Sequence, residues 1–323
     1  MKVVFIVAYF GHFPAYYQLF LDSCKYNPMF EWIIISDNKA PYIYPENVHL
    51  ITMEFCECRR FIQSKFEFEI SLETPQKLCD YKCAYGYIFQ EYIKEYAWWG
   101  HCDLDQIFGN LSKFITKEQL MQYDKIGSLG HMTLYKNTVQ NNLMFKQLLD
   151  GRQRYQEVFT TSKCCAFDEW VSGNINDIYL ASDTPIFLEN FGADINPYRT
   201  PFSLVHFDVA QYKYIFDKIN NSIFCWEDGC LLQLYYENGE PKKREFPYIH
   251  LQKRKMKDSR INKNVAKYYI IPNKFVDATQ EPKKLLNIAN IWNLINYQFI
   301  FVKAKSLKYR IRNKDWQFTN VFK

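Results

Sequence analysis

Tyr96-Ala97-Trp98-Trp99-Gly100-His101-Cys102-Asp103-Leu104-Asp105 decides how this chain is read. Residues 98–102 are short enough for a buried strand and too short for a buried helix. Two carboxylates follow at once, at i and i+2. Working outward, residues 3–9 are a second apolar run. Residues 32–36 are a third, closed by Asp37-Asn38, and residues 48–53 a fourth. Residues 14–25 read as a helix, with Pro14 near its start and Tyr17, Leu19, Phe20 and Leu21 on its apolar positions. Residues 55–70 and 75–96 also read as helices. Strands alternating with helices predict a parallel sheet with right-handed crossovers. Such sheets bind ligands at the carboxyl ends of their strands. Residues 8–11, 37–38 and 103–105 fall at those ends.

Further along, residues 124–129 and 132–135 read as short strands, and residues 139–149 and 167–175 as helices. Residues 231–236 and 244–251 flank Glu237-Asn238-Gly239-Glu240, and Asn-Gly predicts a hairpin turn there. With 48% hydrophobic and 23% charged residues, the balance is globular. It excludes wholesale disorder, collagen-like repeats and a coiled coil. The ten cysteines show no paired CxxC spacing, and the short N-terminal apolar run is followed by Gly11-His12-Phe13-Pro14 without an Ala-x-Ala-like cleavage site, so no secretory signal is expected. They are expected to be reduced, mostly buried thiols. No GxGxxG follows the first strand, and neither GxxxxGK[ST] nor GxSxG occurs. A nicotinamide dehydrogenase, a P-loop NTPase and an elbow-type hydrolase are therefore disfavoured.

The net charge of +5 conceals an asymmetry. Residues 1–240 carry 20 basic and 30 acidic side chains, whereas residues 241–323 carry 20 basic and 5 acidic. The segment 283–314 joins Leu285, Leu286, Ile288, Ile291, Trp292, Leu294 and Ile295 to Lys303, Lys305, Lys308, Arg310, Arg312 and Lys314. An apolar helix followed by a polybasic run is the pattern of an interfacial membrane anchor. A helix docked on the core with a solvated basic end has the same signature. No nucleic-acid motif accompanies the basic run, so nucleic acid is not an expected partner.

The residues that could carry chemistry centre on Asp103 and Asp105. Two carboxylates just past a buried strand offer hard oxygen ligands for Mg²⁺ or Mn²⁺, ions that also engage substrate phosphates. A solvated or capping pair is the plainer reading. Asp80 and Lys82 share one predicted helix, either as a surface charge pair or as contacts to a phosphate, ribose or sugar hydroxyl. Asp168 and Glu169 open another predicted helix, where the macrodipole alone would favour them. His131 is either a core-strand histidine or part of a site wall. His250 ends an apolar run and precedes Lys253, Arg254 and Lys255.

Three stretches resemble a bacterial family of GT-A-type glycosyltransferases found in surface-polysaccharide gene clusters and long labelled only as a domain of unknown function. They are Tyr9-Phe10-Gly11-x-Phe13-Pro14, Lys77-Leu78-Cys79-Asp80-Tyr81-Lys82-x-Ala84-Tyr85-Gly86 and Trp99-Gly100-His101-Cys102-Asp103-Leu104-Asp105-x-Ile107-Phe108-Gly109. The resemblance spans residues 1–255 and implies a Rossmann-like GT-A domain with a mostly parallel sheet. It implies that Ala8, Tyr9 and Phe10 hold the nucleotide, with Asp37 on the base. Asp103, Asp105 and His250 would hold Mn²⁺ or Mg²⁺ against the donor diphosphate, with Lys253 and Lys255 on its phosphates. Asp80, Lys82 and His131 would contact the donor. Asp168 and Glu169 would meet the donor sugar or supply the general base.

The expectation is thus an α/β GT-A catalytic domain over 1–255 and a helical, basic extension over 256–323. It is an enzyme that moves a hexose from a UDP-linked donor to a hydroxyl of a cell-surface glycan precursor. Its acceptor would be a lipid-linked oligosaccharide, and its place the inner face of the cytoplasmic membrane, held peripherally by anionic lipid. A nucleotide-sugar hydrolase or phosphotransferase, or a noncatalytic GT-A-like membrane scaffold, would use the same residues differently.

Overall fold

The computed structural model describes residues 2–189, 191–197, 201–219, 221–252, 254, 256–258, 266–293, 300, 304, 307 and 308. They form two compact units. The first comprises residues 1–14, 27–104 and 112–190; the second comprises residues 15–26, 105–111 and 191–323.

The first unit is built on a seven-stranded sheet. Its order is Val48–Thr52, Phe30–Ser36, Val3–Ala8, Trp98–Cys102, Met132–Lys136, Lys125–Leu129 and Ile186–Phe187. The first four strands are mutually parallel, as the alternation of strands and helices predicts. Met132–Lys136 runs antiparallel to both its neighbours. The sheet is mostly parallel, and the unit is mixed α/β. Val3–Ala8 is covered on both faces, which is why its sequence is continuously apolar rather than alternating. In the register, Ala8 lies opposite Ile35 and Ile6 opposite His101. The segments after residues 8, 36 and 102 therefore leave the sheet at one edge.

The helices of this unit are shorter than their periodicity suggests. The helix expected over 55–70 is Phe55–Gln63. The one expected over 139–149 is Val139–Asn142 followed by a single turn at Met144–Lys146. The expected helix over 75–96 begins as a 3₁₀ run, Pro75–Ala84, with Pro75 at its first position. Gly86 then sits against the Trp99 ring, where a Cβ has no room. Three residues per turn stack i over i+3. This period places Lys77, Asp80 and Cys83 on a buried face and turns Cys79 and Lys82 to another direction.

The second unit contains a three-stranded sheet, with Tyr248–His250 between Gln106–Phe108 and Ala193–Asp194. It also contains a six-stranded sheet around Ser222–Glu227 and Cys230–Glu237. The hairpin expected at Asn238-Gly239 is present. Cys230–Glu237 pairs with Glu240–Phe246, and both turn residues have positive φ, 53° and 82°. That is the backbone a two-residue primed turn demands, and Asn and Gly adopt it at least cost. The helix Tyr17–Lys25 belongs to this unit, and Ser23 Oγ accepts the Phe108 N–H at 3.0 Å.

The terminal helix, Pro282–Asn293, packs Leu285 and Leu286 into an apolar cluster with Ile223, Ile271 and Val276. Its start is docked on protein. Among the described residues no helix is long and apolar enough to cross a membrane. Of the expected lipid-facing segment, Lys303, Lys305, Arg310, Arg312 and Lys314 lie outside the described residues, as do Lys253 and Lys255.

Candidate functional site

Each unit holds one group of candidate site residues, and Asp103 and Asp105 fall on either side of the boundary in the chain. In the first unit, Lys82 is the centre. Its Nζ lies 2.6 Å from Asp103 Oδ1 and 3.4 Å from Asp168 Oδ2 and donates to the Gly130 carbonyl at 2.9 Å. Burial pulls the ammonium down, but Asp103 and Asp168 outweigh it and hold Lys82 well above the usual lysine range. It remains charged at any physiological pH. Asp168 is nearly covered, and burial pushes its carboxyl up to about 6 against the opposing pull of Lys82. Asp103 is about one-third exposed and its backbone N–H donates to the His131 carbonyl at 3.0 Å. His131 is buried, directly behind Gly130 in the turn that joins two strands of the sheet.

Gly130 is the hinge of this group, and residue-by-residue reading passes over it in favour of His131. Its N–H donates to Glu169 Oε1 at 3.1 Å while its carbonyl accepts from Lys82. A Cβ at this position would lie 2.6 Å from Asp168 Cγ and 2.9 Å from Glu169 Oε1. Gly130→Ala is therefore expected to displace both carboxylates. If this group meets a nucleotide-sugar donor, as the sequence leads one to expect, turnover should fall at least about tenfold while the denaturation midpoint moves little, since a 1 Å misplacement alone can cost about 10²-fold. An unchanged turnover in this variant would remove Gly130 and its two neighbours from the site.

Asp168 and Glu169 do not open a helix. They sit in an irregular turn, and the next helix, Ile175–Leu180, is capped by Asn174. The helix-macrodipole explanation for this acidic pair is thereby corrected. Asp168 has no helical dipole to answer and lies beside Lys82.

Asp80 points elsewhere. Its side chain is fully buried, with Oδ2 accepting from Lys77 Nζ at 2.7 Å and from Cys165 N at 2.8 Å, and Oδ1 from Phe167 N at 3.0 Å. Lys77 Nζ also donates to the carbonyls of Val158 and Lys163. The Asp80–Lys77 pair pins the 158–167 loop, so both oxygens of Asp80 face protein partners.

The strand-one loop begins where Val3–Ala8 ends. The Tyr9 N–H donates to the Ile35 carbonyl, Asp37 Oδ1 accepts the Gly11 N–H at 2.8 Å, and Asn38 Nδ2 donates to the Gly11 carbonyl at 3.1 Å. Asp37 thus braces the turn that carries Ala8, Tyr9 and Phe10. Phe10 is buried against Phe55, while Ala8 and Tyr9 remain partly exposed.

In the second unit, strand pairing assembles Asp105, His250 and Asp194. His250 is in register with Gln106 on one side and with Asp194 on the other. The Leu251 N–H donates to the Asp105 carbonyl at 2.8 Å. His250 Nδ1 lies 2.8 Å from Asp194 Oδ1, and Nε2 lies 3.2 Å from Asp105 Oδ1. Gln252 Nε2 also donates to Asp194 Oδ1 at 2.8 Å. Burial lowers the imidazole's basicity, but Asp105 and Asp194 reverse this and hold His250 well above the ordinary histidine range. Arg254 is buried, its Nη2 donating to the Asn196 and Pro201 carbonyls, with burial lowering its pKa to about 9. It is a structural anchor of this unit.

The donor set fits a divalent metal. Asp105 offers a carboxylate and His250 an imidazole nitrogen. Asp194 takes the other ring nitrogen, the arrangement by which an outer carboxylate fixes a ligating histidine. Asp194 carried no signal in the sequence, because it belongs to no motif.

Residues 5–279 match a family described as a family of unknown function, DUF6625, and the chain belongs to that family. No curated protein matches the chain significantly. Among solved structures, it is similar to the galactosyltransferase LgtC in complex with donor and acceptor sugar analogues. That likeness has a TM-score of 0.33 and 10% identity, and covers 60% of this chain and 76% of the other. Likeness at that level carries no argument about the reaction.

Proposed function

We propose that this chain is a divalent-metal-dependent glycosyltransferase that transfers a hexose from a UDP-linked donor to a hydroxyl of a cell-surface glycan precursor. The observation that carries the reading is His250 held between Asp194 and Asp105, with Asp105 two residues after Asp103, just past the strand Trp98–Cys102. Asp103, Asp105 and His250 would hold Mn²⁺ or Mg²⁺. When bound, the ion supplies charge that stabilises the departing diphosphate.

The remaining work falls to this chain's own side chains. Ala8, Tyr9 and Phe10 would line the nucleoside side, with Asp37 bracing their loop and offering its second oxygen to the base. Lys82 would place its ammonium on the donor phosphate or sugar. Asp168, desolvated and ionised above about pH 6, would accept from a sugar or acceptor hydroxyl. Glu169 would keep Gly130 in place. Lys253 and Lys255 would neutralise phosphate charge, and the basic run 303–314 would bring the enzyme to a lipid-linked acceptor on an anionic inner membrane face.

The test is a donor screen with Mn²⁺ by calorimetry, followed by nucleotide release with and without a glycan acceptor. Acceptor-dependent release supports transfer. Equal release without acceptor would replace transferase by hydrolase, and no nucleotide binding with any metal would remove the reading altogether.

The pH profile has a defined sign. Asp168 is a carboxylate above about pH 6 and protonated below it. Turnover is expected to rise from pH 5 to 7 and then level off. Without metal, His250 is held protonated by its carboxylates, so metal binding must release that proton and low pH must weaken affinity. Saturating Mn²⁺ removes the second effect and leaves the first. At saturating Mn²⁺, an acid limb in Asp168→Asn identical to that of wild type would assign the limb to another group.

A further inference from the structure

Cys79 Sγ and Cys164 Sγ lie 3.2 Å apart within the first unit, although 85 residues separate them in the chain. Neither is bonded to another cysteine. Cys164 is exposed in the irregular segment before Phe167, and Cys79 is half-buried on the 3₁₀ run. Asp80 lies close enough to both thiols for the three to share a metal ion. Its two oxygens already accept from Lys77, Cys165 and Phe167, so the aspartate is not available as a ligand. What remains is a dithiol.

The two thiols are unlike. Either sulfur can donate across the contact; with Cys79 donating, that bond and the Ala166 backbone N–H stabilise the Cys164 thiolate against burial and bring Cys164 to about 7. The same contact, burial and the carboxylates of Asp168 and Asp80 push Cys79 upward. A thiolate beside a protonated partner is the arrangement of an attacking and a resolving cysteine.

We propose that Cys79 and Cys164 are a modification site, a redox-active pair that peroxide converts to a reversible intramolecular disulfide. The Cys164 thiolate attacks one oxygen of hydrogen peroxide, the O–O bond breaks, and hydroxide leaves. The product is a sulfenic acid on Cys164. The Cys79 sulfur then attacks that sulfur, the S–S bond forms, and the sulfenic oxygen departs with the Cys79 proton as water. The hydroxide takes up the proton Cys164 had released, so two thiols and one peroxide give one disulfide and two waters. The bridge ties the face that carries Lys82, one 3₁₀ turn after Cys79, to the segment leading into Asp168. It is a tether next to the ion network of the first unit.

The experiment titrates the full chain with hydrogen peroxide at pH 7 and maps cysteines by mass spectrometry of non-reduced digests. The expected first product joins the peptides containing residues 79 and 164, and dithiothreitol restores both thiols. Cys164 should react roughly tenfold faster than exposed Cys56, because a thiol titrating near 7 is about half thiolate at that pH, against a few per cent for an ordinary cysteine. In Cys79→Ser a sulfenic acid should accumulate on Cys164 and be trapped by dimedone. In Cys164→Ser, Cys79 should stay reduced at the same dose. Circular dichroism confirms that both variants fold. Faster reaction of Cys56, a stable sulfenic acid in the wild type, or a different crosslink would each overturn the proposal.

Discussion

Asp105→Asn is expected to abolish Mn²⁺-dependent binding of UDP and to lower sugar transfer roughly 10²–10³-fold, the scale on which removal of one charge-stabilising group acts. The amide keeps the shape of the side chain and removes the anionic oxygen that faces His250 Nε2 at 3.2 Å. His250→Ala should behave similarly, because it removes the nitrogen ligand. Asp194→Asn should fall between these variants and the wild type, losing about 10–100-fold in metal affinity. Asp194 touches only the far nitrogen of the ring, so its loss misorients a ligand without deleting one. Calorimetric titration of Mn²⁺ reads all three, independently of turnover. Wild-type Mn²⁺ affinity in Asp105→Asn would end the metal assignment, whatever happened to activity.

The largest effect on stability is expected from Asp80→Ala. Lys77 is nearly inaccessible, and its ammonium has Asp80 as its carboxylate partner at 2.7 Å. Removing one member of a buried pair leaves an uncompensated charge, at a cost of about 3–5 kcal/mol. The N–H groups of Cys165 and Phe167 lose their acceptor in the same step. The double variant Lys77→Met/Asp80→Leu should be less destabilised than Asp80→Ala alone, because it removes the stranded charge. Chemical denaturation of the three proteins checks this order. If Asp80→Ala denatured like the wild type yet lost activity, the carboxylate would meet the donor after all. The predicted loss of stability is what separates a fold-holding Asp80 from the donor contact that its motif suggests.

The legible parts of this protein are those written in adjacent residues. Residues 3–8, 32–36 and 98–102 announce buried strands because a strand covered on both faces must be apolar throughout. The Asn238-Gly239 turn is equally local, since few residues tolerate two successive positive φ values. The helices within 55–70, 75–96 and 139–149 are shorter than their periodicity suggests. Periodicity reports which face is apolar, not whether the backbone is held in α geometry. The Lys77–Asp80 pair, the Trp99 ring over Gly86 and the bond from Trp99 Nε1 to Asn142 Oδ1 at 2.6 Å are tertiary demands. The acidic pair at 168–169 reads as a helix start and sits in an irregular turn instead, because an acidic pair before an apolar run looks the same in both settings.

By itself, the sequence determined that strands alternate with helices, that two carboxylates follow a buried strand, and that positive charge collects toward the end. Each follows from neighbouring residues and the short-range chemistry they impose. Only the tertiary structure decided that the helix after the first strand packs in the second unit, that Lys82 rather than Asp80 reaches Asp103, and that Asp194 stands behind His250. It also brought Cys79 to Cys164. These pairings close loops of tens of residues, and their partners are chosen by how sheets and buried charges can be satisfied together. Linear spacing carries no record of that choice.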